Sequence, residues 1–143
     1  MTQPESVVLR KDLADEMVDH CREGRPNEAC GLLAADSGGI VRVIKMTNAS
    51  ASPVRYSLDP QEQFKAYKAM SDLGLELAGV FHSHTHTEAY PSPTDVRLAS
   101  EDVPYLIVSL ASEKPSIRAF RIIKANWMDE NGEIEEMPVE VEG

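Results

Sequence analysis

The stretch of sequence that decides the fold runs from residue 77 to residue 95 and reads LAGVFHSHTHTEAYPSPTD. Its first five residues are apolar or glycine, which is typical of a buried strand. Its last four residues, from Ser92 to Asp95, are typical of a helix start: the serine is the N-cap, a proline takes the first helical position, and the aspartate completes a capping box. The stretch therefore predicts a core strand that leads through a loop into a helix.

The same stretch carries three side chains that suit a divalent metal. His82 and His84 lie two residues apart at the end of the predicted strand, so that both imidazoles face the same side of the sheet. Helix capping alone would explain the presence of Asp95. A carboxylate at a helix N-terminus also stays ionised, however, as a metal ligand must be. Two histidines and a carboxylate, with a fourth position for water, are typical of a catalytic zinc site.

Glu28 is the candidate general base. It follows the turn-like residues 25–27 and precedes the apolar run 29–35, so that it stands at the start of a predicted core strand. Partial burial there would raise its pKa and suit it to proton transfer. The alternative is a solvated glutamate at the edge of a loop. Sequence spacing alone does not bring Glu28 to the histidines.

Taken together, these residues resemble the JAMM (MPN+) metalloproteases. The family pattern is an upstream glutamate, H-[ST]-H, seven residues and S-x-x-D, and Glu28, His82, His84, Ser92 and Asp95 match it with no departure. Flanking segments at 26–31, 46–49, 56–59 and 84–91 are similar to a bacterial branch of CysO-cysteine peptidases, and the resemblance covers about residues 5–125.

The resemblance implies an MPN fold and a zinc-dependent hydrolase. One zinc ion per chain would be held by His82, His84 and Asp95, with water as the fourth ligand. Glu28 would act as general base and then general acid, and Ser92 would donate its hydroxyl to the developing oxyanion. The implied substrate is a ubiquitin-like sulfur-carrier protein with a C-terminal Gly-Gly, from which the enzyme releases an attached cysteine during cysteine biosynthesis.

Several alternatives remain at this stage. A JAMM isopeptidase that removes ubiquitin-like proteins from lysine side chains would keep the chemistry and change the substrate. A non-catalytic MPN scaffold is disfavoured because the ligands are retained, and a non-haem iron oxygenase would leave Glu28 and Ser92 without a task. His86 continues the alternation of the histidines, so a three-histidine site without Asp95 is a further alternative; a loop position is the main expectation. Ser83 is expected to support the strand.

Composition restricts the partners. The net charge is −10, but seven of the 24 acidic residues follow Met128, and no lysine or arginine follows Lys124. The rest of the chain is about −3, from 17 acidic and 14 basic residues. A basic face for nucleic acid is absent from this pattern, and no apolar run has the ~18 residues of a membrane span. Two cysteines and no signal peptide predict a cytoplasmic protein; the expectation leaves room for a homodimer.

The whole chain, 1–143, is expected to form a single mixed α/β domain. Strands are predicted at 7–9, 28–35, 40–46, 76–83, 104–110 and 116–123, and helices at 10–22, from Asp59 to about Leu73, and after Ser92. The second helix is expected to bury Phe64, Tyr67 and Met70. His20 is expected to be exposed and Cys30 to be a small buried side chain. The acidic segment 129–143 is either a solvated edge strand or mobile.

Overall fold

The computed structural model describes residues 5–143, and its helices and strands follow one another in a mixed α/β order. The elements are β1 (Val7–Arg10), α1 (Lys11–Gly24), β2 (Cys30–Asp36), β3 (Gly39–Met46), α2 (Pro60–Asp72), β4 (Glu76–His84), α3 (Pro93–Leu98), β5 (Tyr105–Ser109), β6 (Ser116–Ile123), β7 (Glu133–Met137) and β8 (Val139–Glu142). The mixed α/β prediction is confirmed.

The main sheet has six strands in the order β3-β2-β4-β5-β6-β7. All neighbours are antiparallel except β4 and β5, which are parallel because the chain crosses over between them through α3. β4 therefore lies in the interior of the sheet, paired on both sides, and its residues 79–84 are all buried. The C-terminal end of this strand is where the candidate ligands lie.

Helices cover both faces of the sheet. On one face α1 packs through a stripe that includes Leu13, Met17 and Cys21, as the 3.6-residue spacing predicts. On the other face, buried residues of α2 and α3 pack against the sheet residues Cys30, Leu32, Val80 and Tyr105. Because Cys30 is the register partner of His82, the histidines face the side covered by α2 and α3.

Two side-chain expectations were wrong. Phe64 is 70% exposed, and α2 instead buries Ala66 and Met70, with Tyr67 half-buried. His20 is half-buried, and its Nε2 donates to the carbonyls of Cys30 and Met46, at 2.9 and 3.2 Å. An imidazole in a charged helix pattern was expected to be exposed, but these two carbonyls bring it into the helix–sheet interface.

The acidic C-terminal segment is part of the fold. β7 forms one edge of the main sheet, antiparallel to β6, and β8 pairs in parallel with β1. Its alternating pattern lets Met137 point inward while most of the glutamates stay exposed. The edge-strand alternative is confirmed, with a second strand that the sequence did not resolve. Among residues 5–143, no helix is long and apolar enough to span a membrane.

Candidate metal centre

His82 and His84 converge because they alternate on one strand. Both side chains are buried, and their Nε2 atoms lie 3.3 Å apart. His84 has a fixed tautomer, since its Nδ1 can only donate to the carbonyl oxygen of Glu88, at 2.8 Å. In the neutral ring, Nε2 is then left with a free lone pair, which is the form that a metal requires.

Asp95 reaches the same point from the first turn of α3. The helix starts with a complete capping box, in which Ser92 Oγ accepts from the Asp95 amide at 3.1 Å and Asp95 Oδ2 accepts from the Ser92 amide at 2.9 Å. The same Oδ2 atom lies 3.2 Å from His82 Nε2 and 3.0 Å from His84 Nε2. The capping and ligand interpretations of Asp95 are therefore geometrically compatible.

These three atoms fit the demands of a tetrahedral metal. With metal–ligand bonds of about 2.0–2.1 Å, neighbouring ligand atoms of a tetrahedral zinc site stand about 3.3 Å apart. The three distances observed, 3.0 to 3.3 Å, are close to that edge length. Of the residues that the structure describes, His82, His84 and Asp95 form the one grouping of this kind. His86 is exposed and lies outside it, which disfavours the three-histidine alternative.

The charges at the cluster favour an ionised aspartate. Burial alone would raise the pKa of Asp95, but hydrogen bonds from the two imidazoles and the Ser92 amide hold it well below its usual range. For His84, burial opposes protonation, yet the hydrogen bonds to Asp95 and to the Glu88 carbonyl raise its pKa overall. Asp95 is thus in the ionised form that binds a cation. At His84, by contrast, a proton competes with a metal ion for Nε2.

Glu28 lies beside this cluster and is almost completely buried, at 5% exposure. Its Oε1 has no hydrogen-bond partner in the described part of the chain. Burial is the main cause that raises the pKa of Glu28 to about 8; the negative charge of Asp95 adds to the rise and His84 opposes it. The solvated-glutamate alternative is therefore wrong, and the charges of Asp95 and His84 act on this buried carboxyl group.

Ser83 explains how Glu28 is brought to the histidines. The Ala29 amide donates to Ser83 Oγ at 2.8 Å, and the Ser83 amide donates to the Ala29 carbonyl at 3.0 Å. The residue after Glu28 is thus tied twice to the residue between His82 and His84. The hydroxyl of Ser83 has the structural role expected of it, on the opposite side of β4 from the imidazoles.

Ser92 lies at the rim of the cluster and is half-buried. Its Oγ uses a lone pair to accept from the Asp95 amide, so its own hydrogen is not committed by that bond. The hydroxyl can therefore both cap α3 and donate to a group placed near Asp95.

Sequence reasoning missed two residues of this region. The Tyr56 ring stacks on the His82 imidazole, with ring centroids 4.5 Å apart and an angle of 23° between the planes. The Asn48 side chain binds the backbone of Glu28. Both residues lie in segments that support the family resemblance, but neither residue type nor spacing indicates a contact across the fold.

The chain is similar to several known proteins. The family model described as prokaryotic homologs of the JAB domain matches residues 10–123. The CysO-cysteine peptidase of Mycobacterium tuberculosis (strain ATCC 25618 / H37Rv) is 44% identical over 139 residues, which cover 94% of this chain and 90% of that protein. The desampylase of Haloferax volcanii is 37% identical over 109 residues, covering 71% and 78% of the two chains. Among solved structures, a protein from Desulfitobacterium hafniense superimposes with a TM-score of 0.82 at 38% identity, covering 94% and 92%.

Proposed function

The chain belongs to the prokaryotic JAB-domain family, and from this premise we propose that it is a zinc metallopeptidase that releases cysteine from the C-terminal glycine of a ubiquitin-like sulfur-carrier protein. One observation carries the chemical part of the proposal. Three buried ligand atoms converge within 3.3 Å, and a buried carboxylate with an orphaned oxygen lies beside them. The proposal takes the whole chain, residues 1–143, as one catalytic domain.

The proposed roles follow from these contacts. His82, His84 and Asp95 hold the metal, and Ser92 and the Glu88 carbonyl orient two of these ligands. When bound, zinc supplies a Lewis acid that polarises the scissile carbonyl and lowers the pKa of a water molecule.

Glu28 then carries the proton. Its carboxylate takes a proton from the attacking water and delivers it to the amine of the leaving cysteine as the carbon–nitrogen bond breaks. Burial raises the pKa of Glu28 in the metal-free protein to about 8, and a bound cation would lower it again, so that both the ionised and the neutral form of the carboxyl group are accessible near neutral pH. The Ser92 hydroxyl donates a hydrogen bond to the oxygen of the scissile carbonyl as negative charge builds on it.

The choice of substrate rests on the relatives. The CysO-cysteine peptidase covers nearly the whole chain at 44% identity, whereas the desampylase matches a shorter part at 37%. The first similarity supports a cysteine leaving group; the second supports the alternative, an isopeptidase that acts on lysine-linked carrier proteins. The proposal places the reaction in the cytoplasm, where the two free cysteines are expected to stay reduced. A homodimer stays a prediction.

An intact-mass assay on two conjugates distinguishes these substrates. One is a ubiquitin-like carrier ending in Gly-Gly with cysteine on its C-terminus, and the other carries the same tail on a lysine side chain. Each is incubated with the enzyme, with and without a chelator. We expect chelator-sensitive loss of cysteine from the first conjugate and little cleavage of the second. Cleavage of the lysine conjugate alone would favour the isopeptidase, and no cleavage of either by zinc-loaded protein would refute the proposed function.

A further inference from the structure

The segment from residue 48 to residue 58, which we call the clamp loop, is irregular apart from one bridge between Asn48 and Leu58. Its first side chain is the centre of a hydrogen-bond network. Asn48 Nδ2 donates to the carbonyls of Glu28 (2.9 Å), Arg55 (3.0 Å) and, at 3.5 Å, Ser52, and its Oδ1 accepts from the amides of Ser50 (3.0 Å) and Ser57 (3.1 Å). Because Nδ2 donates and Oδ1 accepts, the hydrogen bonds determine the orientation of the side-chain amide.

The first consequence concerns Glu28. Its carbonyl accepts from Asn48, and its amide donates to the Ser52 carbonyl of the same loop at 2.9 Å. Both backbone polar groups of Glu28 are therefore bound by the clamp loop, while Oε1 of its side chain has no partner among the described residues. The position of Glu28 is therefore fixed by hydrogen bonds of its backbone and not by hydrogen bonds of its carboxylate Oε1 atom.

The second consequence concerns Tyr56. Asn48 binds the carbonyl of the residue before it and the amide of the residue after it. Both peptide groups that flank Tyr56 are thus fixed by one side chain, and the tyrosine ring lies against His82. In the same loop Ala51 has a φ of 45°, a left-handed conformation that persists only when surrounding contacts hold it.

We propose that Asn48 is a positioning residue that holds both Glu28 and Tyr56 beside the metal cluster. It touches neither the metal ligands nor the reacting atoms; it acts through the two residues that it holds. The inference rests on the proposed function, in which Glu28 transfers the proton. A displacement of a catalytic group by about 1 Å costs on the order of 100-fold in rate, so a single lost amide can have a large effect without exposing the core.

Two substitutions separate the parts of the network. Asn48→Ala removes every hydrogen bond of the side chain. Asn48→Asp keeps the two acceptor bonds to Ser50 and Ser57 and loses the three donor bonds, to the carbonyls of Glu28, Ser52 and Arg55. The matched control is Asn126→Asp, because Asn126 also caps a local turn, by accepting from the Met128 amide, in the connection between β6 and β7. We expect both Asn48 variants to lose about 10- to 100-fold in kcat, with KM and bound zinc nearly unchanged, and the control to match the wild type.

A double-mutant cycle with Glu28→Gln provides the decisive kinetic result. If Asn48 acts through Glu28, Asn48→Asp causes little further loss once the carboxylate is gone. Effects that multiply in the double variant, or a kcat of Asn48→Asp within about twofold of the wild type, would overturn the inference.

A readout without turnover keeps this inference separate from the choice of substrate. In the metal-free protein, NMR follows the amide exchange of Glu28, whose N–H donates to Ser52 of the clamp loop, and the ring-current shift that Tyr56 imposes on the His82 ring protons. We expect faster exchange and loss of that shift in Asn48→Asp but not in Asn126→Asp. Unchanged spectra would refute the clamp even if both conjugates proved to be substrates. If the wild type cleaved neither conjugate, the proposed function would fail, but the NMR spectra would still test whether Asn48 holds the clamp loop.

Discussion

In the metal-free protein, the fold keeps the carboxyl group of Glu28 protonated near neutral pH, where a glutamate is usually ionised. Its burial and the nearby charge of Asp95 raise its pKa to about 8, so that in the metal-free protein it retains its proton near neutral pH. A cation bound a short distance away favours the ionised form of a carboxyl group. Metal binding is therefore expected to release the proton of Glu28, which produces the base at the moment when the site becomes competent.

The raised pKa predicts a pH-dependent stability difference between metal-free wild type and Glu28→Gln. Below the ordinary value of 4.5, the group is protonated in both the folded and the unfolded state and contributes no penalty. As pH rises toward about 8, the unfolded state ionises first, and the free energy of unfolding of the wild type falls. At ~1.4 kcal/mol for each unit of pKa shift, the penalty amounts to a few kcal/mol.

Denaturant unfolding in chelator at pH 5 and pH 8.5 would measure this difference. We expect the advantage of Glu28→Gln over the wild type to grow with pH, and an exposed control, Glu113→Gln, to show no such growth. An advantage that stays constant across the range would mean that Glu28 is not held in its neutral form.

The capping role of Ser92 in α3 and its proposed catalytic role can be separated by comparison with Asp59, the N-cap of α2. Replacement of either cap by alanine is expected to cost about 1 kcal/mol of stability. Only Ser92→Ala also removes a donor to the developing oxyanion, so we expect its kcat to fall by about 10²- to 10³-fold while Asp59→Ala stays active. Thermal unfolding and single-turnover rates of both variants test this; equal activities would reduce Ser92 to a structural cap.

At the scale of elements, the site depends on a close approach of β2 to its neighbours. A Cβ atom at Gly31 would overlap the Phe81 ring and stand 2.6 Å from the Ile44 carbonyl oxygen. The register pair Gly31–Phe81 is adjacent to the pair Cys30–His82. Glycine at this position therefore lets β2, which begins two residues after Glu28, lie close to β4, which carries the histidines.

Gly31→Ala is accordingly expected to destabilise the protein by about 1–3 kcal/mol, because the overlap involves the backbone and a buried ring. The matched control is Gly38→Ala in the β2–β3 turn, where the added methyl would meet only Asp36 Oδ1, at 3.3 Å. Denaturation midpoints of the two variants decide the matter, and an equal loss of stability would contradict this packing argument.

Much of the element pattern could be predicted because its signals are local. The apolar run of β4, the Ser92 capping box and the turn between β2 and β3 all depend on residues close together in sequence. The error at Phe64 has a different origin. The stripe Ala66–Met70 is buried, and Phe64 lies about 140° from the centre of that face around the helix; several apolar stripes were compatible with the sequence, and only the neighbouring sheet selects one.

At the scale of the whole molecule, the pairing of distant segments determines the site. The H-x-H spacing sufficed to predict that two imidazoles meet on one face of the sheet, but Glu28 reaches them only because β2 lies beside β4. The same holds for Asn48 and Tyr56, whose contacts with Glu28 and His82 join residues far apart in the chain. Residue types indicate which chemistry is possible, but the pairing of distant strands decides which residues lie together in one site.

Metal binding is expected to make the stability and the activity of the whole protein depend on pH. Protonated imidazoles cannot bind a metal, and the hydrogen bonds to Asp95 and Glu88 raise the pKa of His84 in the metal-free protein. We expect bound zinc and activity to fall together between pH 7 and about pH 5, and the thermal stabilisation by zinc to fall with them. Zinc content and melting temperature measured across this range check the coupling; constant zinc content with a constant rate would contradict it.

The central claim is that a buried carboxylate beside the three-ligand cluster transfers the proton of hydrolysis, and the variant Glu28→Gln tests it most directly. The single measurement is turnover of the cysteine conjugate by intact mass, with zinc stoichiometry determined on the same sample. We predict one zinc per chain, as in the wild type, and a rate lower by at least about 10²-fold, because the amide cannot carry a proton. Full zinc with near wild-type turnover would remove Glu28 from the reaction and contradict the account.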